Sequence, residues 1–374
     1  MSSTGKRLFL SPPWVGPEER RAVAAAFDSG YVAPCGPQVD AFERELAQLA
    51  GRRYAVAVSS GTAAIDLLMA TESIGADSVV IAPTLTFIAT VGPAWHRGAR
   101  LVFVDCGEDG TIDCDLLERA LADATAAGRA RKRSRVLVMG VDLYGRCCDY
   151  GRIAALCRRY GATFVCDSAE AVGARREGRP AGSAGRAAVY SFNGNKIVTT
   201  SGGGAVVTDD ARLAARVRKL SQQARERCVW YEHREVGYDY RLSNLLAAVG
   251  SAQLAKLPGI LARRRAVFDF YRAKCDRSLA VWGPFPGENH WLTVAFATSG
   301  RERDRLMAAL AEAGIESRPV WKPMHLQPVF RGCRVYGGRM AERFFRLGLC
   351  LPSGSGMTRA DLRRVVEILN ENMV

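Results

Sequence analysis

The chain is 374 residues long, with 48% apolar and 24% charged residues, which fits about two globular domains, excludes a miniprotein and gives no reason to expect a fibrous or disordered chain. Its 52 lysines and arginines stand against 38 acidic residues, a formal charge of +14. That balance favours anionic partners such as phosphates and nucleotides without choosing among them.

Met1 to Leu10, followed by Pro12-Pro13, has neither the long apolar core nor the small-residue cleavage site of a signal peptide. From there, short β-branched runs alternate with helical segments. Strands are predicted at 54–58, 79–82, 101–104, 136–140, 163–166, 187–191 and 205–208, and helices at 63–71, 114–127, 150–160 and 211–224. This alternation predicts an α/β fold, a mainly parallel seven-stranded sheet between helices. The most apolar stretch, Val79 to Trp95, is broken by Pro83 and Pro93 and falls short of the ~20 residues that a spanning helix needs. The basic run from Arg129 to Arg135 lies between a helix and a strand, and reads as a solvated connection rather than a nucleic-acid site. Beyond residue 250 the pattern changes to a strand at 291–297, a helix at 301–313, a strand near 315–319 and a last helix at 359–369 that Thr358 can cap. The expected division is a large α/β domain over 1–250 and a smaller α+β domain over 251–374. No membrane segment and no nucleic-acid partner are expected, and the cytoplasm is the expected location.

The eleven cysteines run from Cys35 to Cys350. Their number is odd, no C-x-x-C occurs, and Cys147 and Cys148 are adjacent, so reduced thiols are expected rather than disulfides or a zinc site. His96, His233, His290 and His325 stand far apart, and spacing supports no metal.

Three segments carry chemistry. Ser59-Ser60-Gly61-Thr62-Ala63-Ala64 lies between a strand and a helix, where free amides and the helix dipole favour a phosphate; a simple helix cap without ligand is the alternative. Asp167 ends an apolar strand, where open α/β sheets place ligand chemistry. Its buried carboxylate needs a cationic or hydrogen-bonding partner, which a structural ion pair or the protonated nitrogen of a pyridine cofactor supplies. Ser191-Phe192-Asn193-Gly194-Asn195-Lys196 precedes a glycine-rich loop. A lysine there is an ordinary surface residue or, freed from strong hydration, loses its proton and forms a Schiff base. Together these are the three anchors that pyridoxal phosphate needs, in a workable chain order. Phe87 either stacks on the pyridine ring or belongs to the core.

With Ser29-Gly30-Tyr31, Gly36, Phe42-Glu43, Pro83 to Phe87, Asp167 to Glu170 and Gly237-Tyr238-Asp239-Tyr240-Arg241, nearly the whole chain resembles the DegT/DnrJ/StrS sugar aminotransferases, fold-type I pyridoxal phosphate enzymes. The resemblance implies that Lys196 carries the cofactor as a Schiff base and moves the proton. It implies that Asp167 pairs the pyridinium nitrogen, that Glu170 sits near the phenolic oxygen, and that Thr62, Ala63 and Ser191 hold the phosphate. Gly61, Phe87, Asn193 and Asp239 complete the implied cofactor-binding set. Family members with histidine in place of the lysine are dehydratases, so Lys196 favours transamination. The resemblance also implies a homodimer with shared active sites, in which a Gly-Tyr-Asn-Tyr-Arg segment reaches the partner's phosphate. Asp239 replaces that asparagine, and a carboxylate beside a phosphate is expected to weaken cofactor retention.

Among family members, the match is closest to those that aminate a 4-keto-6-deoxy sugar on a uridine diphosphate carrier for bacterial glycans, with L-glutamate as donor. Arg241 and His325, followed by Lys322, are the expected substrate-binding residues for the nucleotide-linked keto sugar. The rival readings are a regulator that binds cofactor or sugar without turnover, and a pyridoxal phosphate-dependent sugar dehydratase.

Overall fold

In the computed structural model, which describes residues 6–130 and 135–373, two helices precede the first strand: α1 (Pro17–Asp28) and α2 (Pro37–Ala50). Proline starts both, at a position where a missing amide is no loss. The first five residues, and residues 131–134 in the middle of the basic run, lie outside the described residues.

The chain then alternates through β1 (Tyr54–Val58), α3 (Gly61–Thr71), β2 (Val79–Pro83), α4 (Gly92–His96), β3 (Arg100–Val104), α5 (Cys114–Ala130), β4 (Val136–Val141), α6 (Tyr150–Tyr160) and β5 (Thr163–Asp167). A short pair, β6 (Arg175–Arg176) and β7 (Arg179–Pro180), leads to β8 (Ala187–Ser191), β9 (Gly204–Thr208) and α7 (Ala211–Ser221). The last third holds α8 (Asn244–Ala255), α9 (Leu257–Lys274), β10 (Ala280–Val281), β11 (Thr293–Phe296), α10 (Gly300–Glu312), β12 (Arg318–Pro319), β13 (Arg334–Tyr336), α11 (Arg339–Leu347), β14 (Gly348–Leu351) and α12 (Arg359–Glu371). Thr358 caps α12 by accepting from the Asp361 amide, as its sequence position suggested.

The large sheet runs β1-β9-β8-β5-β4-β2-β3-β13. Its pairs from β8 to β13 are parallel, and β9 joins β1 and β8 antiparallel. Every residue of β2, β4 and β8 is buried, as a parallel sheet covered on both faces requires. Successive side chains feed two cores: Ile81 and Val138 on one face, Val80, Leu137 and Met139 on the other.

All seven predicted strands are present, and the count is corrected to eight. The added strand, β13, comes from the C-terminal third and pairs with β3 from Arg334 opposite Val102. Two of its three residues are exposed, so it has no apolar alternation to read. The expected boundary at 250 falls inside α8, which packs on α1 and α2. The remaining C-terminal strands form an antiparallel sheet, β10-β11-β14-β12, whose core includes Leu306, Leu310, Val365 and Leu369 of α10 and α12. Among the described residues no single helix is long and apolar enough to cross a membrane.

Candidate active site

A cavity of about 310 Å³ opens beyond the carboxyl ends of β5 and β8, the usual ligand position in such sheets. Of the residues singled out in the sequence, Gly61, Thr62, Phe87, Asp167, Glu170, Ser191, Asn193 and Lys196 line it.

At one end lies the start of α3. The Ser60 hydroxyl accepts from the Ala63 amide at 3.0 Å, which spends the Ala63 amide on the cap and leaves earlier first-turn amides without intrahelical acceptors. Ala63 itself is buried and outside the cavity lining. The start of β9 presses directly on this turn. A Cβ on Gly204 would stand 2.4 Å from the Ser60 carbonyl carbon and 2.5 Å from the Gly61 nitrogen. Opposite it, a Cβ on Gly61 would stand 3.0 Å from Ser191 Cβ. These glycines let three backbones converge on a helix N-terminus, a cradle that suits a phosphate.

Asp167 occupies the end of β5. Its Oδ2 accepts from Thr90 Oγ1 at 2.7 Å and its Oδ1 from the Ala169 amide at 3.1 Å. Among the described residues no cation hydrogen-bonds to it, and burial pushes its carboxyl above the ordinary range. Burial does the same to Glu170, whose Oε2 accepts from the Tyr144 amide at 2.7 Å and whose Oε1 lies 3.6 Å from Lys196 Nζ. The proximity of Lys196 opposes both shifts. Two desolvated carboxyls thus share one lysine. A ligand bringing a ring cation to Asp167 and a phosphate to α3 would complete this set, and that donor pattern fits pyridoxal phosphate.

Phe87 is half exposed, with its ring 5.6 Å from that of Trp321. Tyr144 stacks on Trp321 at 5.7 Å and on Trp291 at 6.2 Å, and its hydroxyl accepts from the Trp321 amide at 3.0 Å. Sequence reasoning missed Thr90, Tyr144, Trp291 and Trp321. None has a local signal, because the fold brings them from four separate segments. A second, wider cavity of about 940 Å³ shares Phe87, Asn195, Trp291 and Trp321 with the first and extends to Ser11, Arg318 and Lys322. The joined space far exceeds what an amino acid alone requires.

Asp239, Arg241 and His325 lie outside both cavities. Arg241 is no free cation: its Nη1 donates to Glu43 Oε1 at 2.7 Å and to the Ala57 carbonyl at 2.9 Å. Its buried Nε has no hydrogen-bond partner among the described residues. With Asp239 it lines a separate surface groove beside Cys35 and Arg225. His325 has Nδ1 at 2.7 Å from Thr84 Oγ1 and Nε2 at 3.0 Å from Glu342 Oε1, so both ring nitrogens are engaged. Elsewhere, Asp142, Cys148 and Cys166 bring ligand atoms within 4.8 Å of one another. The carboxylate there already accepts from Tyr150, Ser168 and the Cys148 amide.

A mostly parallel sheet carrying a strand-end carboxylate, a helix-start cradle and a lysine is the architecture of fold-type I pyridoxal phosphate enzymes. The chain belongs to the DegT/DnrJ/EryC1/StrS aminotransferase family, whose model matches residues 13–370. It is 40% identical to EpsN of Bacillus subtilis (strain 168), provisionally named a pyridoxal phosphate-dependent aminotransferase, over 97% of this chain and 95% of EpsN. It is 34% identical to the GDP-perosamine synthase of Caulobacter vibrioides, over 98% of this chain and 99% of that one. Among solved structures, DesI in the presence of its TDP-sugar product matches with a TM-score of 0.87 and 30% identity, covering 99% of this chain and 94% of DesI. The family depends on pyridoxal phosphate, in keeping with the donors found here.

Proposed function

We propose that this protein transfers an amino group from L-glutamate to a nucleotide-linked keto sugar, with a UDP-4-keto-6-deoxy sugar of bacterial glycan synthesis as the acceptor. The observation that carries this reading is Lys196 in the wall of the smaller cavity, next to Asn195 and Trp291, which also line the wider one; the first cavity is sized for a cofactor and the second for a large acceptor. The GDP-perosamine synthases and DesI supply the nucleotide-sugar class. The uridine carrier rests on sequence resemblance.

When bound, pyridoxal phosphate supplies an electron sink for the carbanion of transamination. Around it, the α3 start with Thr62, Ser191 and Asn193 would hold the phosphate, and Phe87 would cover the ring. Asp167 would keep the ring nitrogen protonated, and Glu170 would lie on the phenolic side. Lys196 would carry the cofactor and move the proton between substrate carbon and cofactor.

Val229, Trp230, Tyr231 and Val236 leave large apolar side chains exposed, as do Tyr31 and Val32. Soluble monomers rarely leave such patches uncovered. A cytoplasmic homodimer covers them and puts Asp239 at the partner's site. On this reading Asp239→Asn removes a charge from beside the phosphate and should tighten cofactor retention several-fold, measured by equilibrium dialysis. Unchanged retention would remove Asp239 from the cofactor site.

The decisive measurement is the absorption spectrum of the purified protein with L-glutamate, and then with nucleotide-linked keto sugars. The visible cofactor band should fade with glutamate and return with one sugar. A band indifferent to both would leave a cofactor-binding protein without this activity.

A further inference from the structure

Lys196 is held from two sides. Glu170 Oε1 stands 3.6 Å from its Nζ, and the centre of the Trp291 ring stands 4.0 Å from the same atom. Trp291 is itself fixed at three points, one on its indole and two on its backbone. Its Nε1–H donates to the Asn195 carbonyl at 2.7 Å, its amide donates to Asn289 Oδ1 at 2.9 Å, and its carbonyl accepts from the buried Arg264 at 2.6 Å. Two further bonds converge on the same loops. Ser11 Oγ donates to the Asn195 carbonyl at 2.7 Å, and Asn289 Nδ2 donates to the Glu170 carbonyl at 3.0 Å. Trp291 therefore bonds to the backbone immediately before Lys196 while its ring face touches the reacting nitrogen. It is 1% exposed, so its contact with the lysine cation is desolvated, where cation–π attraction is strongest.

We propose that Trp291 is the positioning residue of Lys196, its ring face and its Nε1–H together holding Nζ beside Glu170 at the cavity wall. This inference rests on Lys196 being the cofactor lysine, and it adds the group that presents that lysine. The bond to Asn195 sets the loop, and the ring limits where the four-carbon stem can swing. Without them the amine samples many rotamers before it meets an aldehyde, which slows capture.

Cofactor-free protein mixed with pyridoxal phosphate reports this directly. Lys196 condenses with the aldehyde, water leaves, and the absorbance change gives the capture rate. Pyridoxamine phosphate has no aldehyde, so its affinity reports on the remainder of the site. Trp291→Leu should slow capture about tenfold through the lost orientation of the amine, with pyridoxamine phosphate affinity held within about twofold. Trp291→Phe keeps a smaller ring face and loses Nε1–H, so it should recover part of the rate; it also serves if the leucine variant does not fold, with slowing of about threefold expected. Capture at the wild-type rate in both variants overturns the proposal. So does a parallel loss of pyridoxamine phosphate binding, which would mark a general collapse of the site. A wild-type protein that captures no pyridoxal phosphate overturns instead the reading of Lys196 beneath it.

Discussion

Lys196→Ala is expected to lower turnover by about 10³-fold or more, the scale of a lost general acid–base group, while leaving the protein folded. The side chain is 13% exposed and lines a cavity, so truncation removes little packed volume. Its loss is electrostatic. Nζ is the cation nearest Glu170 and lowers the carboxyls of both Glu170 and Asp167, so without it both desolvated acids move further toward their neutral forms. Non-covalent binding through the α3 cradle should survive, because Ser60, Gly61 and Gly204 do not depend on the lysine. Steady-state assay with L-glutamate and a keto sugar, beside a thermal melt within a few degrees of wild type, checks both halves. Near-normal turnover would remove Lys196 from the chemistry.

The carboxylate and the lysine were legible because each interrupts its surroundings. Asp167 is a charge at the end of an apolar strand, and Lys196 is a lone cation between polar and glycine-rich stretches. The strands β2, β4 and β8 were legible for a related reason: burial on both faces forces unbroken apolar runs. Arg241 shows the limit. In the sequence it reads as a cation available to substrate, yet Glu43 of α2 pairs with it from 198 positions away. His325 is claimed in the same manner by Thr84, 241 positions away. The stack of Trp291, Tyr144 and Trp321 joins β11's approach, the turn after β4 and the loop after β12. A periodic pattern records which face of an element is buried, and carries no record of which distant element covers it.

Asp167→Asn separates function from stability. Activity should fall by about 10²- to 10³-fold, the usual loss when one preorganised electrostatic partner of the reacting group is removed, because a neutral amide cannot hold a pyridine nitrogen protonated. The cofactor-free protein should respond in the opposite sense. Burial raises the Asp167 carboxyl above its ordinary value of 3.8. A carboxyl raised in the folded state favours folding while protonated, so that contribution is complete below the ordinary value and is lost as pH rises through the raised one. At pH 8 the wild-type protein without cofactor must bury this charge without a hydrogen-bonded cation. Asparagine carries no charge to bury. Thr90 Oγ1 also meets Thr86 Oγ1 at 2.7 Å, so its hydroxyl can turn and accept from the new amide. The cofactor-free variant should therefore melt at least about 2 °C above cofactor-free wild type at pH 8, a shift that about 1 kcal/mol produces in a mid-sized domain. The gap should close toward pH 4, and Glu170, whose carboxyl the Asp167 charge raises further, adds to it in the same direction. Pyridoxal phosphate should then raise the wild-type melting temperature more than that of the variant, since only the carboxylate gains a cationic partner. A variant that melts lower than wild type at pH 8, or a gap that does not change with pH, would show that Asp167 is held by its hydrogen bonds alone and stores no electrostatic cost for the cofactor to relieve.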